Sequence, residues 1–178
     1  MGFLLHGHET DRLRFRAFEQ DKDFEDWLPF FQSKAAMQHW PMGGLSPLEY
    51  ALEWYAKQAH RYQNNWGGLN AVIEKESGKL VGHVGLLTQK VDDIIELEVA
   101  YSLLPEHWKK GYAREAAQFC VHYAFQNNWS ERLVSIISPS NAPSIAVAKG
   151  IGMHFDRAIV FQGVEAQLYQ IKNKKSTV

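Results

Sequence analysis

At 178 residues with a formal net charge of -1, the chain has the length of one domain, 1–178, and ample material for a core. Hydrophobic residues at 46% and charged residues at 22% are those of a water-soluble globular protein. The near-zero charge offers no bulk attraction to nucleic acid or an anionic membrane, and no apolar run approaches a membrane span. Cys120 is the one cysteine, which excludes an intrachain disulfide and fits a reducing, cytoplasmic setting. Phe3-Leu4-Leu5 is too short for a signal-peptide core.

In chain order, Arg12 to Phe18 alternates Leu13, Phe15 and Ala17 with three arginines, a half-solvated strand with the arginines on its outer face. Asp21 is a candidate cap for a helix carrying Phe24, Trp27, Leu28 and Phe31 at helical spacing, with Pro29 bending or splitting it. Residues 33–45 read as irregular and include His39-Trp40-Pro41. Ser46-Pro47-Leu48-Glu49 is a capping box with proline at the first helical position, opening an aromatic-rich helix to about Gln63.

Leu69 to Glu74 and Leu80 to Thr88 form a hairpin around Gly78, and Gly82 and Gly85 mark a bulge or a close backbone approach in the second strand. Ile94 to Leu104 is the next strand: Leu97, Val99, Tyr101 and Leu103 share one face, Glu96, Glu98, Ala100 and Ser102 the other. Pro105 ends it. A basic turn, Trp108-Lys109-Lys110-Gly111-Tyr112, runs into a helix from Ala113 to Phe125, in which Ala113, Ala116, Ala117, Cys120 and Ala124 make a small-residue face. Cys120 on that face reads as core rather than nucleophile. Strand 132–138, a short helix capped by Asn141, and a last hairpin around Gln162-Gly163 follow, then a polar tail. The order βααβββαβαββ predicts an α/β (α+β) fold, a mixed sheet with helices on both faces.

Strand, basic glycine turn and helix together form a recipe for holding phosphate, because the free N–H groups of the first helical turn and the positive end of the helix dipole converge there. Gly111 would let the backbone approach a ligand, and Lys109, Lys110 and Arg114 add charge. An ordinary turn would look the same in isolation.

The surrounding residues decide further. Glu98-Val99-Ala100-Tyr101 with Leu104-Pro105-Glu106-His107-Trp108-Lys109-Lys110-Gly111-Tyr112-Ala113-Arg114-Glu115-Ala116 resembles the acetyl-CoA signature of the GNAT-superfamily N-acetyltransferases, most closely the branch that acetylates ribosomal-protein N-termini. Residues 9–16 resemble that family's first strand, and Asn141 to Val147, ending at Gly152-Met153, its asparagine-led helix. The resemblance implies a mostly antiparallel twisted sheet splayed at its central strand. It implies acetyl-CoA as co-substrate, with Trp108, Lys109, Lys110, Gly111, Tyr112, Ala113 and Arg114 around its pyrophosphate and main-chain groups of Val99, Tyr101 and Leu103 along its pantetheine arm. Asn141, and with it Ser144, would touch CoA, or simply cap their helix. Lys109 stands where the family usually has glycine, and can present its N–H there only at negative φ.

Acetyl transfer to an amine needs a neutral nitrogen. An α-amine, with a pKa of about 7.7–8.0, is neutralised at pH 7 for about 1 kcal/mol, a lysine for roughly 4–5 kcal/mol, so an α-amine can manage with a weak base acting through water. Glu98, next to the implied thioester, is that candidate, with Glu96 further along and solvated. Many superfamily members place an acid tyrosine soon after the asparagine helix. Here none lies between Asn141 and Tyr169, so Ser138 and Ser144 are the candidate donors. His39 and Trp40 fall where the family binds its acceptor, or in a helix–helix core, and His83 is placed to line the cleft or sit in the core. No histidine has zinc spacing, so no metal is implied. The expected partners are acetyl-CoA and a primary amine, either a peptide N-terminus or a small molecule, with a monomer and a homodimer both compatible. The alternative from another class is a non-catalytic acyl-CoA-binding or sensor module.

Overall fold

The computed structural model describes residues 3–40 and 43–173, which leaves Pro41 and most of the polar tail outside the described residues. Seven strands make one sheet: β1 (Leu13–Arg16), β2 (Gly67–Glu74), β3 (Leu80–Val91), β4 (Ile94–Leu103), β5 (Arg132–Ile137), β6 (His154–Phe161) and β7 (Val164–Lys172), in the order β1-β2-β3-β4-β5-β7-β6. Helices α1 (Gln20–Gln32), α2 (Lys34–Met37) and α3 (Pro47–Gln63) cover one face. Helices α4 (Tyr112–Gln126) and α5 (Ala142–Gly150) cover the other. The expected order holds, with α2 added where an irregular stretch was predicted. Ser33 caps that turn, accepting the Ala36 N–H at 3.3 Å.

All strand neighbours are antiparallel except β4 and β5, whose parallel pairing consists of one register position, Glu98 opposite Val134. Beyond it the strands part. A side chain does what a ladder N–H would have done: the Ser135 hydroxyl donates to the Val99 carbonyl at 2.7 Å. The sheet therefore carries a gap on the β5 side of β4, reaching from one face towards the other.

On the α4 side, Val84, Leu86, Leu97, Val99 and Leu103 pack beneath Ala116, Ala117, Cys120 and Ala124, all four fully buried. The predicted small-residue face lets the helix approach the sheet closely. Cys120 is free and buried, and burial pushes its thiol pKa up, as suits a core residue. Gly82 and Gly85 are close-approach positions, because a Cβ would come within 2.2 Å of the Ser102 and Gly68 carbonyl oxygens respectively. The predicted bulge lies beside Gly82: Val72 pairs with Gly82 and Ile73 with Leu80, leaving Val81 of β3 as the extra residue. β3 runs on to Val91 and turns through Asp92 and Asp93, both at positive φ (47° and 66°), as a tight hairpin requires.

Several expectations are overturned by tertiary contacts. The cap of α1 is Glu19, with Asp21 inside the first turn, and Pro29 neither ends nor splits the helix. Pro29 and Glu25, whose carbonyl loses its partner to the proline, both face outward, where water can serve that carbonyl. The arginines of β1 are not a uniform outer face. Arg14 pairs with Glu9, but Arg16 reaches Asp23, which is 1% exposed, and Arg12 turns towards α4. Glu96 is buried rather than solvated, because β5 lays Arg132 across it as an ion-pair partner.

Candidate active site

Two cavities meet at the gap between β4 and β5. The first, about 370 Å³, lies at the N-terminus of α4 and is lined by Trp108, Lys109, Gly111, Tyr112, Ala113 and Arg114 among others. Its geometry begins where β4 stops. The Trp108 indole N–H donates back to the Leu103 carbonyl at 2.7 Å, folding the turn against the strand end. Lys109 and Gly111 both adopt left-handed conformations, φ 60° and 82°. The lysine thus takes up a conformation natural to glycine, at a cost of roughly 1–2 kcal/mol, instead of the negative φ its identity predicts. Gly111 is the N-cap of α4 and brings no capping side chain, so the first-turn N–H groups are left for another acceptor. A Cβ at Gly111 would meet only Arg12, at 3.4 Å; its φ, not crowding, requires glycine.

A clamp from the segment just before β1 holds this turn. Arg12 donates to the Lys110 carbonyl at 2.9 Å and to Glu115 at 2.7 Å, and its guanidinium lies 4.5 Å from the centre of the Tyr112 ring. Glu115 also accepts the Thr10 hydroxyl at 2.6 Å and the Arg12 N–H at 2.9 Å, while the Tyr112 hydroxyl bonds Glu74. Lys110 itself does not line the cavity; its carbonyl is a fixture of the clamp.

The second cavity, about 360 Å³, opens on the α3 face and contains Glu98, Ser135 and Ser138. His39, Trp40, Tyr101, Ser102, Asn141 and Ser144 line both cavities, so the two are joined at Tyr101. The Tyr101 hydroxyl donates to the Ser144 carbonyl at 2.7 Å, and Asn141 Oδ1 accepts the Ser144 N–H at 3.1 Å, capping α5. The His39 imidazole and Ser138 both touch the Ser140 hydroxyl, each at 3.1 Å, linking the end of α2 to the loop after β5. Trp40 packs edge-on against Phe30 and Tyr50. Of the three residues expected to offer main-chain groups, Val99 and Leu103 have their carbonyls engaged by Ser135 and Trp108. Tyr101 lies between them.

Glu98 is 7% exposed. Burial raises its carboxyl pKa to about 7, against the opposing hydrogen bonds of the Gln89 amide at 2.9 Å and the Ile136 N–H at 3.4 Å and the charge of Arg61. A carboxyl half-ionised near neutrality can take up a proton at physiological pH.

His83 does not reach the cleft. It is fully buried, edge-to-face with Trp27 and Trp54 at 4.5 and 4.8 Å, and burial lowers its pKa to about 3. Its face of β3 turns towards α1 and α3, whose indoles close over it. Sequence reasoning missed Arg12, Arg61, Gln89, Glu115 and Ser135. The one legible trace was the spacing Glu53, Lys57, Arg61, which puts three charged residues on a single side of α3 facing the second cavity. Among the described residues, no group of three His, Cys, Asp or Glu side chains could hold a metal ion. No helix among them is long and apolar enough to cross a membrane.

Comparison with known proteins agrees with this geometry. The family model described as "Acetyltransferase (GNAT) domain" matches residues 12–154. The Bacillus subtilis protein YkkB is 30% identical over 151 residues, covering 84% of this chain and 86% of its own. A crystal structure of an acetyltransferase from Agrobacterium tumefaciens superposes with a TM-score of 0.78 at 26% identity, covering 96% of each chain. Spermidine N-acetyltransferase from Vibrio cholerae, solved with CoA and spermine, shares the fold with a TM-score of 0.71 at 18% identity, covering 93% of this chain and 98% of its own. With a splayed β4–β5 pair, a glycine-capped α4 and a family match from β1 to the start of β6, the chain belongs to the GNAT acetyltransferase family.

Proposed function

We propose that the protein transfers an acetyl group from acetyl-CoA to a primary amine, a protein N-terminus or a small amine, by direct attack within a ternary complex. The observation that carries this reading is the placement of a buried, neutral-range carboxyl, Glu98, in a cavity that joins the α4 N-terminal cavity at Tyr101. The residues present fit CoA. The uncapped first turn of α4 and Lys109 suit its pyrophosphate, and the open edge of β4 at Tyr101 suits its amide-bearing arm. Bound acetyl-CoA supplies the thioester whose acetyl carbon is attacked and whose thiolate leaves.

On the acceptor side, Glu98 accepts the amine proton, directly or through one water, so that the nitrogen lone pair is free. Ser144 lines both cavities whereas Ser138 lines only the Glu98 cavity, so Ser144 is the better donor to the departing sulfur. That step makes a small demand, because a thiol pKa near 8.5 leaves readily. His39 and Trp40 border the passage and form one wall of the acceptor path. The non-catalytic alternative has no counterpart to Glu98, since coenzyme binding alone gives no reason to bury a carboxyl without a cationic partner.

The test is CoA release from acetyl-CoA across N-terminal peptides, polyamines, amino acids and aminoglycosides, with kcat of the best acceptor followed against pH. The wild-type rate should climb as pH rises through about 7, because the base must be ionised. Glu98→Gln should lower kcat about 10²-fold with little change in KM for acetyl-CoA, and regain part of the loss at pH 9, where an α-amine is already neutral. A Glu98→Gln enzyme at full rate with the wild-type profile would remove Glu98 from the reaction.

A further inference from the structure

Glu98 is the end of a three-residue chain of hydrogen bonds. Arg61, on α3, donates one guanidinium N–H to the Thr88 carbonyl at 2.9 Å and another to Gln89 Oε1 at 3.1 Å. Gln89, on β3, in turn donates its Nε2–H to Glu98 Oε2 at 2.9 Å. Thr88 is itself fixed, its N–H reaching the Trp66 carbonyl at 2.8 Å, so the guanidinium has an anchored seat.

The polarity of this chain is forced. Arginine has only donors, so the amide oxygen of Gln89 must face Arg61. The amide NH₂ is then obliged to face the carboxylate. Turned the other way, Gln89 would set donor against donor and its oxygen against an ionised carboxylate. Among the described residues, the remaining donor to Glu98 is the Ile136 N–H, at 3.4 Å. The other titratable groups around the cavity are Tyr50, Glu53 and Lys57 on α3, His39, Tyr101 on β4 and Glu165 on β7, and none of them hydrogen-bonds Glu98. Glu96, on the same face of β4, is taken up by Arg132.

We propose that Arg61 and Gln89 are positioning residues for Glu98, a relay in which the cation on α3 orients a neutral amide to donate to the carboxylate and so sets the pH at which that carboxylate ionises. The neutral link matters. A guanidinium bonded directly to Glu98 would hold it as a permanent anion and spoil it as a proton acceptor, whereas no donor at all would leave it protonated in its buried site. An amide locked by a remote cation gives the intermediate case. The catalytic consequence rests on Glu98 being the base; the ionisation itself does not.

The experiment separates the two. In full-length protein labelled with [¹³C]glutamate, the Glu98 side-chain carboxyl resonance is assigned by its loss in Glu98→Gln and titrated by NMR. Arg61→Met and Gln89→Leu should each raise its midpoint by about one pH unit, since each removes a feature that favours the anion. Gln89→Glu should raise it further, because two carboxylates then share one site. Arg61→Lys, which keeps a cation but cannot span both Thr88 and Gln89, should restore the wild-type value only in part, and guards against a loss of fold in Arg61→Met. The acidic limb of the kcat–pH profile should move with each midpoint. Midpoints unchanged in both Arg61→Met and Gln89→Leu would overturn the relay and reduce both residues to packing. Midpoints that move while the kcat profile stays put would uphold the relay and sink Glu98 as the base.

Discussion

The two cavities are nearly equal in volume and share six lining residues, yet they are built in opposite ways. The end proposed to hold the coenzyme is local: most of its decisive features fall between Leu103 and Arg114, and they are backbone features, two left-handed residues and an uncapped helix start. The end proposed to take the acceptor is assembled from side chains on α3, β3, β4, β5 and β7, elements spread over most of the chain. A group common to every acetyl-CoA can be held by main-chain N–H groups, which any sequence with the right φ values supplies. An acceptor that differs between enzymes must be met by side chains, which can change one at a time without disturbing the helix start.

Three perturbations would break or sharpen that contrast. The largest effect is expected of Gly111→Val. A β-branched residue at φ 82° is strained by about 1–3 kcal/mol, and the first turn of α4 should shift to relieve it. CoA affinity measured by isothermal titration should fall about 100-fold, while the circular dichroism spectrum stays that of a folded protein. Wild-type affinity in this variant would move the phosphate site away from α4.

Glu98→Gln probes the other end through stability rather than rate. A carboxyl whose folded pKa is raised to about 7, from an ordinary 4.5, is accommodated without penalty below about pH 4.5, weighs increasingly against folding as pH rises from 4.5 to 7, and does so in full above that. Glutamine never ionises. Relative to wild type, the variant should therefore gain roughly 2–3 kcal/mol of stability between pH 5 and pH 8, starting from a lead of less than about 1 kcal/mol at pH 5, in urea titrations at the two pH values. A variant weaker than wild type at both pH values would make Glu98 a structural carboxylate and erase the contrast.

The smallest effect is expected of Lys109→Gly, which separates backbone from charge. Relief of the left-handed strain and the greater freedom of glycine in the unfolded chain nearly offset each other, so the melting temperature should move little. CoA affinity should fall by less than about tenfold and lose part of its salt dependence, because one cation of the proposed phosphate site is gone. An unchanged affinity and salt slope would mean that Lys109 contributes only its backbone.

The fold and the geometry of the turn before α4 were legible because their determinants are periodic or contiguous. Alternation in β4 predicted its two faces, the capping box at Ser46 predicted the start of α3, and alanine spacing predicted the face of α4 that meets the sheet. The errors share one cause. Arg16 and Glu96 were read from their own strands as outward and solvated, and His83 was left open between cleft and core. Asp23, Arg132 and the indoles of Trp27 and Trp54 decided each case, and each of those lies elsewhere in the chain.

By itself, then, the amino-acid sequence determined the order of elements, the uncapped basic turn before α4 and the presence of a carboxylate beside the splayed edge, since each depends on residues within a few positions of one another. Only the tertiary structure decided which charges are neutralised and which are left to titrate. Glu96 and Glu98 share a face, both buried, and their sequence neighbourhoods barely distinguish them. One meets an arginine from β5 and the other a glutamine whose amide is oriented by an arginine from α3. Proton affinity in a buried site is set by the charges and donors within a few ångströms, and which groups those are is known only once the strands and helices have been brought together.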